Sequence, residues 1–128
     1  MPFRSWLLTA LAACVFAVTP AFAEPALSRG AVDTLRQVAG ILDYIAGDYR
    51  GAVAPDGSLK SASEYSEQRA LANDAAALTA GVGLADGDPL RTSLRDLTDA
   101  LSAKRDPEQV EQLCRRARDA IVKTHNVD

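Results

Sequence analysis

The chain carries few of the side chains that ordinarily do chemistry. Its 128 residues include one histidine, two cysteines, one methionine and one tryptophan, and aromatic residues make up 5%. A single histidine, His125, close to the C-terminal end excludes a histidine-based nucleophilic triad. No Cys-x-x-Cys-His occurs, so no c-type haem is attached to this chain. Beyond Met1 there is no methionine to partner a histidine on a haem iron. Sustained alternation of β-branched or aromatic residues is also missing, which excludes a sheet protein. Basic residues number 14 against 17 acidic, and no basic stripe is present to hold nucleic acid. The small run Arg115, Arg116 and Arg118 reads as a solvated helix face, with contact to anionic lipid or a partner as the alternative. Asp56-Gly57-Ser58 fails as an EF-hand calcium loop, because Lys60 takes the fifth position and no glycine the sixth.

The first 23 residues read as a secretory signal peptide. Arg4 supplies the positive start, and Trp6 to Val18 is apolar apart from Thr9. Ala21-Phe22-Ala23 places small residues before a cleavage point at Glu24. The apolar run is too short for a membrane span, which needs about 20 residues. A second reading takes Leu11-Ala12-Ala13-Cys14 as a lipobox with Cys14 lipidated, but Cys14 comes early and Val15 to Val18 makes a poor tether. Either way the protein is expected outside the cytoplasm, in the periplasm or its equivalent. Cleavage leaves 24–128 as one domain of about 105 residues. Losing Arg4 leaves 13 basic against 17 acidic residues, a net charge of −4. Only Cys114 remains, so no internal disulfide forms; it reads as a small apolar residue at a helix seam.

The remainder predicts four helices. Val32, Leu35, Val38, Leu42, Ile45 and Tyr49 recur at spacings of three and four from a start near Ser28 to an end near Tyr49–Gly51. A Pro55-Asp56-Gly57 turn follows. Ser61 and Glu64 have capping-box spacing, and Glu64, Glu67/Gln68, Leu71, Ala75, Leu78 and Val82 read as the inward stripe of the second helix. Asp88-Pro89 and Asp106-Pro107 open the third and fourth helices. Their stripes are Leu90, Leu94, Leu97, Leu101 and Val110, Leu113, Ala117, Ile121. Short links force antiparallel neighbours, so the expected fold is all-α, an up-down antiparallel four-helix bundle.

Function is sought where the three tyrosines lie, because each has acidic neighbours. Asp43, Tyr44, Asp48 and Tyr49 close the first helix; Glu64, Tyr65 and Glu67 open the second. In an antiparallel pair these clusters meet, and the stripe assignment points Glu64 and Glu67 toward the bundle. Acids in the first turn of the second helix suit its dipole, whereas Asp43 and Asp48 near the end of the first do not. Arg50 or Arg69 would offset them as salt bridges, or a bound cation would. Carboxylate and phenol oxygens are hard ligands, suited to ferric iron, calcium or manganese. Two readings stay open: a metal or partner site, and an internal hydrogen-bond network.

Leu42-Asp43-Tyr44-Ile45, Asp48-Tyr49, Ala52-Val53, Gly57 and Glu64-Tyr65-Ser66-Glu67 resemble the periplasmic N-terminal region of bacterial high-affinity iron permeases. The resemblance covers about Leu27 to Asp128, with its motif residues confined to 42–67. It implies a role in iron uptake, with an iron ion bound at Asp43, Tyr44, Asp48, Tyr49, Glu64, Tyr65 and Glu67, or a delivery partner docked there. It implies a non-enzymatic domain whose partners are a membrane iron permease and a c-type cytochrome module, in the same or a separate chain. The ending at Thr124-His125-Asn126-Val127-Asp128 resembles the point where that family runs on into its cytochrome module. The chain departs from the family in lacking a transmembrane helix after the leader and the Arg-Glu-x-x-Glu motifs of the permease proper. Glu64 and Glu67 share the Glu-x-x-Glu spacing, but on a soluble amphipathic helix, so the permeation role is not carried over to them.

Overall fold

The computed structural model describes residues 26–128; the leader, its cleavage point and Cys14 lie outside the described residues. Four α-helices follow one another: α1 Arg29–Ala52, α2 Ala62–Ala80, α3 Pro89–Ser102 and α4 Pro107–Asp119, the last running on into a π-helical turn at Ala120–Thr124. Each start is fixed by a side chain that satisfies an otherwise orphaned backbone N–H. Ser28 Oγ accepts from Ala31 N, Ser61 Oγ from Glu64 N, Asp88 Oδ1 from Leu90 N and Asp106 Oδ1 from Glu108 N. Proline at the first position of α3 and α4 removes one orphan donor outright.

Cross-helix contacts fix the directions. On α1 and α4, Asp43 meets Arg118 and Arg50 meets Glu111, so one sequence rises as the other falls. Tyr65 at the start of α2 reaches Leu101 at the end of α3. Neighbouring helices are therefore antiparallel, α1 lying between α2 and α4 and diagonal to α3. This is the expected up-down bundle. Its core is built from Leu35, Val38, Leu42 and Ile45 of α1, the four predicted leucines of α3, and Val110, Ala117 and Ile121. Leu113 is only partly buried, and Cys114 takes the seam beside it.

The inward face of α2 differs from the expected stripe. Tyr65, Gln68, Ala72, Ala75 and Thr79 are buried, while Glu64 and Glu67 are exposed and Leu71, Leu78 and Val82 pack at the margin. The face is turned by about one residue, roughly 100°. Alanines on nearly every side of α2 let either register pack, and the bulk and hydroxyl of Tyr65 decide between them.

His125, although close to the C-terminal end, is held in place. Its Nε2 lies 3.0 Å from Asp88 Oδ2 and 3.1 Å from Oδ1, and both side chains are 10% exposed. Val127 is buried and donates its N–H to Ile121 O, which folds the last residues back over the bundle.

Cys114 is 1% exposed, and burial, reinforced by the charges of Glu111 and Asp43, pushes its thiol up to about 12. Attack on a disulfide requires the thiolate, so the native thiol is inert at neutral pH. An aromatic disulfide reagent is expected to react with Cys114 at least about a hundredfold more slowly in buffer than in denaturant, since access requires opening of the core. Equal rates would show that the α4 seam is open.

Candidate functional site

The acidic-tyrosine segments do come together at the end of the bundle where α1 finishes and α2 begins, but they divide into three groups.

The first group is internal. Tyr49 is 1% exposed and its hydroxyl donates to Arg105 O at 2.8 Å. Tyr65, also buried, donates to Leu101 O at 2.6 Å. Both phenols thus satisfy carbonyls at the end of α3 and in the α3–α4 link, groups that a helix terminus leaves without intrahelical partners. Two cations lie over the Tyr65 ring, Lys104 Nζ at 5.5 Å and Arg69 Cζ at 5.8 Å from its centroid. Both hydroxyl protons are thus committed to main-chain carbonyls inside the bundle.

The second group is Asp43 alone. It does not face Glu67; its Oδ1 accepts from Arg118 Nε at 2.7 Å on the opposite side of α1. The expected dipole penalty is also absent, because α1 continues to Ala52 and the helix-end field fades within the last turn.

The third group lines an open groove of about 370 Å³ between α1 and α2. Tyr44, Asp48 and Gly51 follow one another at i, i+4 and i+7 along one face of α1, with Gly47 beside them. Opposite stand Glu64, Glu67 and Gln68 of α2. Glu64 does not complete a capping box, since Ser61 N donates to Ala52 O instead. Its carboxylate lies against the bare backbone of α1: a Cβ on Gly51 would come within 2.9 Å of Glu64 Oε2. Tyr44 is 45% exposed, and the negative charge of Glu67, then that of Asp48, raises its phenol above the usual range.

The cations expected to offset this charge are engaged elsewhere. Arg50 pairs with Glu111 of α4 at 2.8 Å, and Arg69 covers Tyr65. Among the described residues, Asp48, Glu64 and Glu67 make no salt bridge. Nor do three acidic, histidine or cysteine side chains already stand at metal-binding separation among those residues. Arg50 also lines the groove, but its guanidinium is drawn to Glu111, so the three carboxylates stand there as hard oxygen donors that outnumber the one cation. The groove also contains Gln68, one of the inward positions the stripe offered: it is 2% exposed, and its Oε1 is buried without a hydrogen-bond partner among the described residues.

A larger groove of about 630 Å³ lies between the α1–α2 loop and α4. Its cations and acids largely satisfy one another, Glu111 bridging Arg50 and Arg115. It therefore carries less uncompensated charge than the smaller groove.

Among the described residues no helix is long and apolar enough to cross a membrane. No curated protein and no solved structure matches the chain. A family model described as the Iron permease-associated 4-helix bundle domain matches residues 27–127, nearly all of the described structure. That association supports a membrane iron permease as partner. The antiparallel bundle, with its acidic groove where α1 meets α2, belongs to the iron permease-associated four-helix bundle family.

Proposed function

We propose that the domain binds an iron ion in the α1–α2 groove, on the extracytoplasmic side of the membrane, and presents it to the permease with which its family is associated. Asp48, Glu64 and Glu67 supply the charged oxygens and Tyr44 a phenol at the rim. The leader at 1–23 exports the domain, and a c-type cytochrome module in the same or a separate chain works beside it. The observation that carries this reading is the uncompensated charge: three carboxylates and an exposed tyrosine share one groove while the nearby arginines serve other partners. Hard oxygen donors fit iron better than copper or zinc. Gly51 leaves room for the Glu64 carboxylate to move over α1.

A second reading rests on Tyr49 and Tyr65, whose bonds to main-chain carbonyls are purely architectural. On that view the bundle is a structural adaptor without a ligand of its own. Titration of the purified protein with ferrous iron under anaerobic conditions, and with ferric citrate, separates the two. Saturable binding is expected, and Glu64→Ala or Glu67→Ala should weaken it by at least about tenfold. Asp43→Ala should leave it unchanged. Absence of saturable binding by the wild type in both oxidation states would sink the iron reading and leave the adaptor.

A further inference from the structure

We propose that Gln68 is a ligand in this groove, its side-chain amide giving a neutral oxygen to the cation that Asp48, Glu64 and Glu67 attract. The inference rests on the cation reading of the groove given above and adds to it a donor that neither the family resemblance nor the tyrosine pattern indicates. Gln68 is 2% exposed, and its Oε1 is sealed from solvent without a hydrogen-bond partner among the described residues. A buried carbonyl that has given up water for no partner is destabilising.

The surroundings make this choice of residue informative. The positions that continue the inward face of α2, Ala72 and Ala75, are apolar. A leucine at 68 would fill similar volume without stranding a polar atom. Departures from core patterning with no local compensation concentrate at functional sites. Gln68 also follows Glu64 by four residues, so the two share a face, and it lines the groove with Tyr44 and Asp48. The other buried orphan, Thr79 Oγ1, lies in a cleft with Arg91 and Arg95, where no carboxylate gathers a cation.

An amide suits the position better than another acid. A fourth carboxylate, buried beside three others, would resist ionisation, whereas a carbonyl offers an oxygen without adding charge. The terminal torsion of glutamine is broad and roughly two-fold. A half-turn exchanges its oxygen and nitrogen without moving the helix, so the oxygen can face the groove when a cation enters.

The test uses Gln68→Leu and Gln68→Glu in the full protein, with Mn²⁺ as a redox-inert hard cation and anaerobic ferrous iron beside it. Gln68→Leu is expected to raise the metal-free melting temperature by about 4 °C while weakening Mn²⁺ binding by about tenfold. Gln68→Glu should retain binding and melt lower than wild type. A purely packing role cannot move stability up and affinity down together. Wild-type affinity in Gln68→Leu, with affinity lost in Glu67→Gln, would overturn the role of Gln68 and leave the groove standing. No binding of either ion by the wild type would overturn both.

Discussion

Tyr49→Ala is expected to lower the unfolding free energy by about 3–5 kcal/mol, the range for truncating a buried aromatic side chain. Domains of this size are commonly stable by only about 5–15 kcal/mol, so urea denaturation should show a much earlier midpoint. Tyr49→Phe isolates the hydroxyl. It leaves Arg105 O without its side-chain donor at this end of the bundle and should cost about 1–2 kcal/mol. Alkaline pH gives the same residue a second signature. Burial, followed by the charges of Tyr65 and Asp106, pushes the Tyr49 phenol from 10.0 to about 12. The folded state holds this proton more tightly than the unfolded chain. The associated stability is complete below pH 10 and is lost as pH rises through about 12. Tyr49→Phe should flatten that decline without abolishing it, because the Cys114 thiol, raised from 9.0 to about 12, contributes with the same sign. In the iron titration that tests the proposed function, Tyr49→Phe should behave as the wild type does. A matching loss of iron affinity would return Tyr49 to the site.

That contrast marks how far the site was legible in the sequence. Acid-tyrosine spacing predicted that these segments meet, and antiparallel packing brings Tyr44 and Asp48 to Glu64 and Glu67 as expected. Spacing along one helix does not reveal which phenols find a carbonyl across the core. Tyr49 and Tyr65 bond to residues 56 and 36 positions away in the chain, and nothing local announces such partners. The partner of Asp43 was hidden for the same reason, since Arg118 lies 75 residues distant. One signal for Tyr49 was available: it continues the α1 core stripe, and a stripe position predicts burial before it predicts ligation.

Helix boundaries were read well where chemistry at the ends is strong. Ser28, Ser61, Asp88 and Asp106 all cap as their residue types predict. The stripes of α1 and α3 were legible because leucine, isoleucine and valine alternate there with charged residues. In α2 alanine occupies most sides, so the leucines dominated the pattern although they sit at its margin. Shifting the face by one residue turns Glu64 and Glu67 outward. This bears on the proposed function, because outward carboxylates at a groove are accessible to an ion, whereas inward ones would have needed buried partners. The sequence pattern already offers Gln68 as an inward position beside Glu67, but only packing shows that its Oε1 is stranded.

At the opposite end of the bundle, Asp88→Ala is expected to cost about 2–3 kcal/mol, combining loss of a helix N-cap with loss of a buried hydrogen-bond acceptor. One carboxylate serves both purposes. Asp88 Oδ1 accepts from Leu90 N at 2.9 Å, starting α3, and the same group holds His125 Nε2 at 3.0–3.1 Å. The residues after the π-helical turn return over the core, with Val127 buried and Arg36 Nε donating to Asp128 O at 3.2 Å. The pair therefore joins the start of α3 to the last turn of the chain, and α1 grips the same tail. Hydrogen exchange should separate the two losses. In Asp88→Ala both Leu90 N–H, which loses its capping acceptor, and Val127 N–H, which bonds to Ile121 O, should exchange faster. In His125→Ala only the Val127 amide should accelerate, because the cap survives. Asp88→Asn keeps an oxygen for Leu90 and should lie between Asp88→Ala and wild type in stability. Unchanged protection of Val127 in His125→Ala would mean that its side-chain burial holds the tail without the histidine.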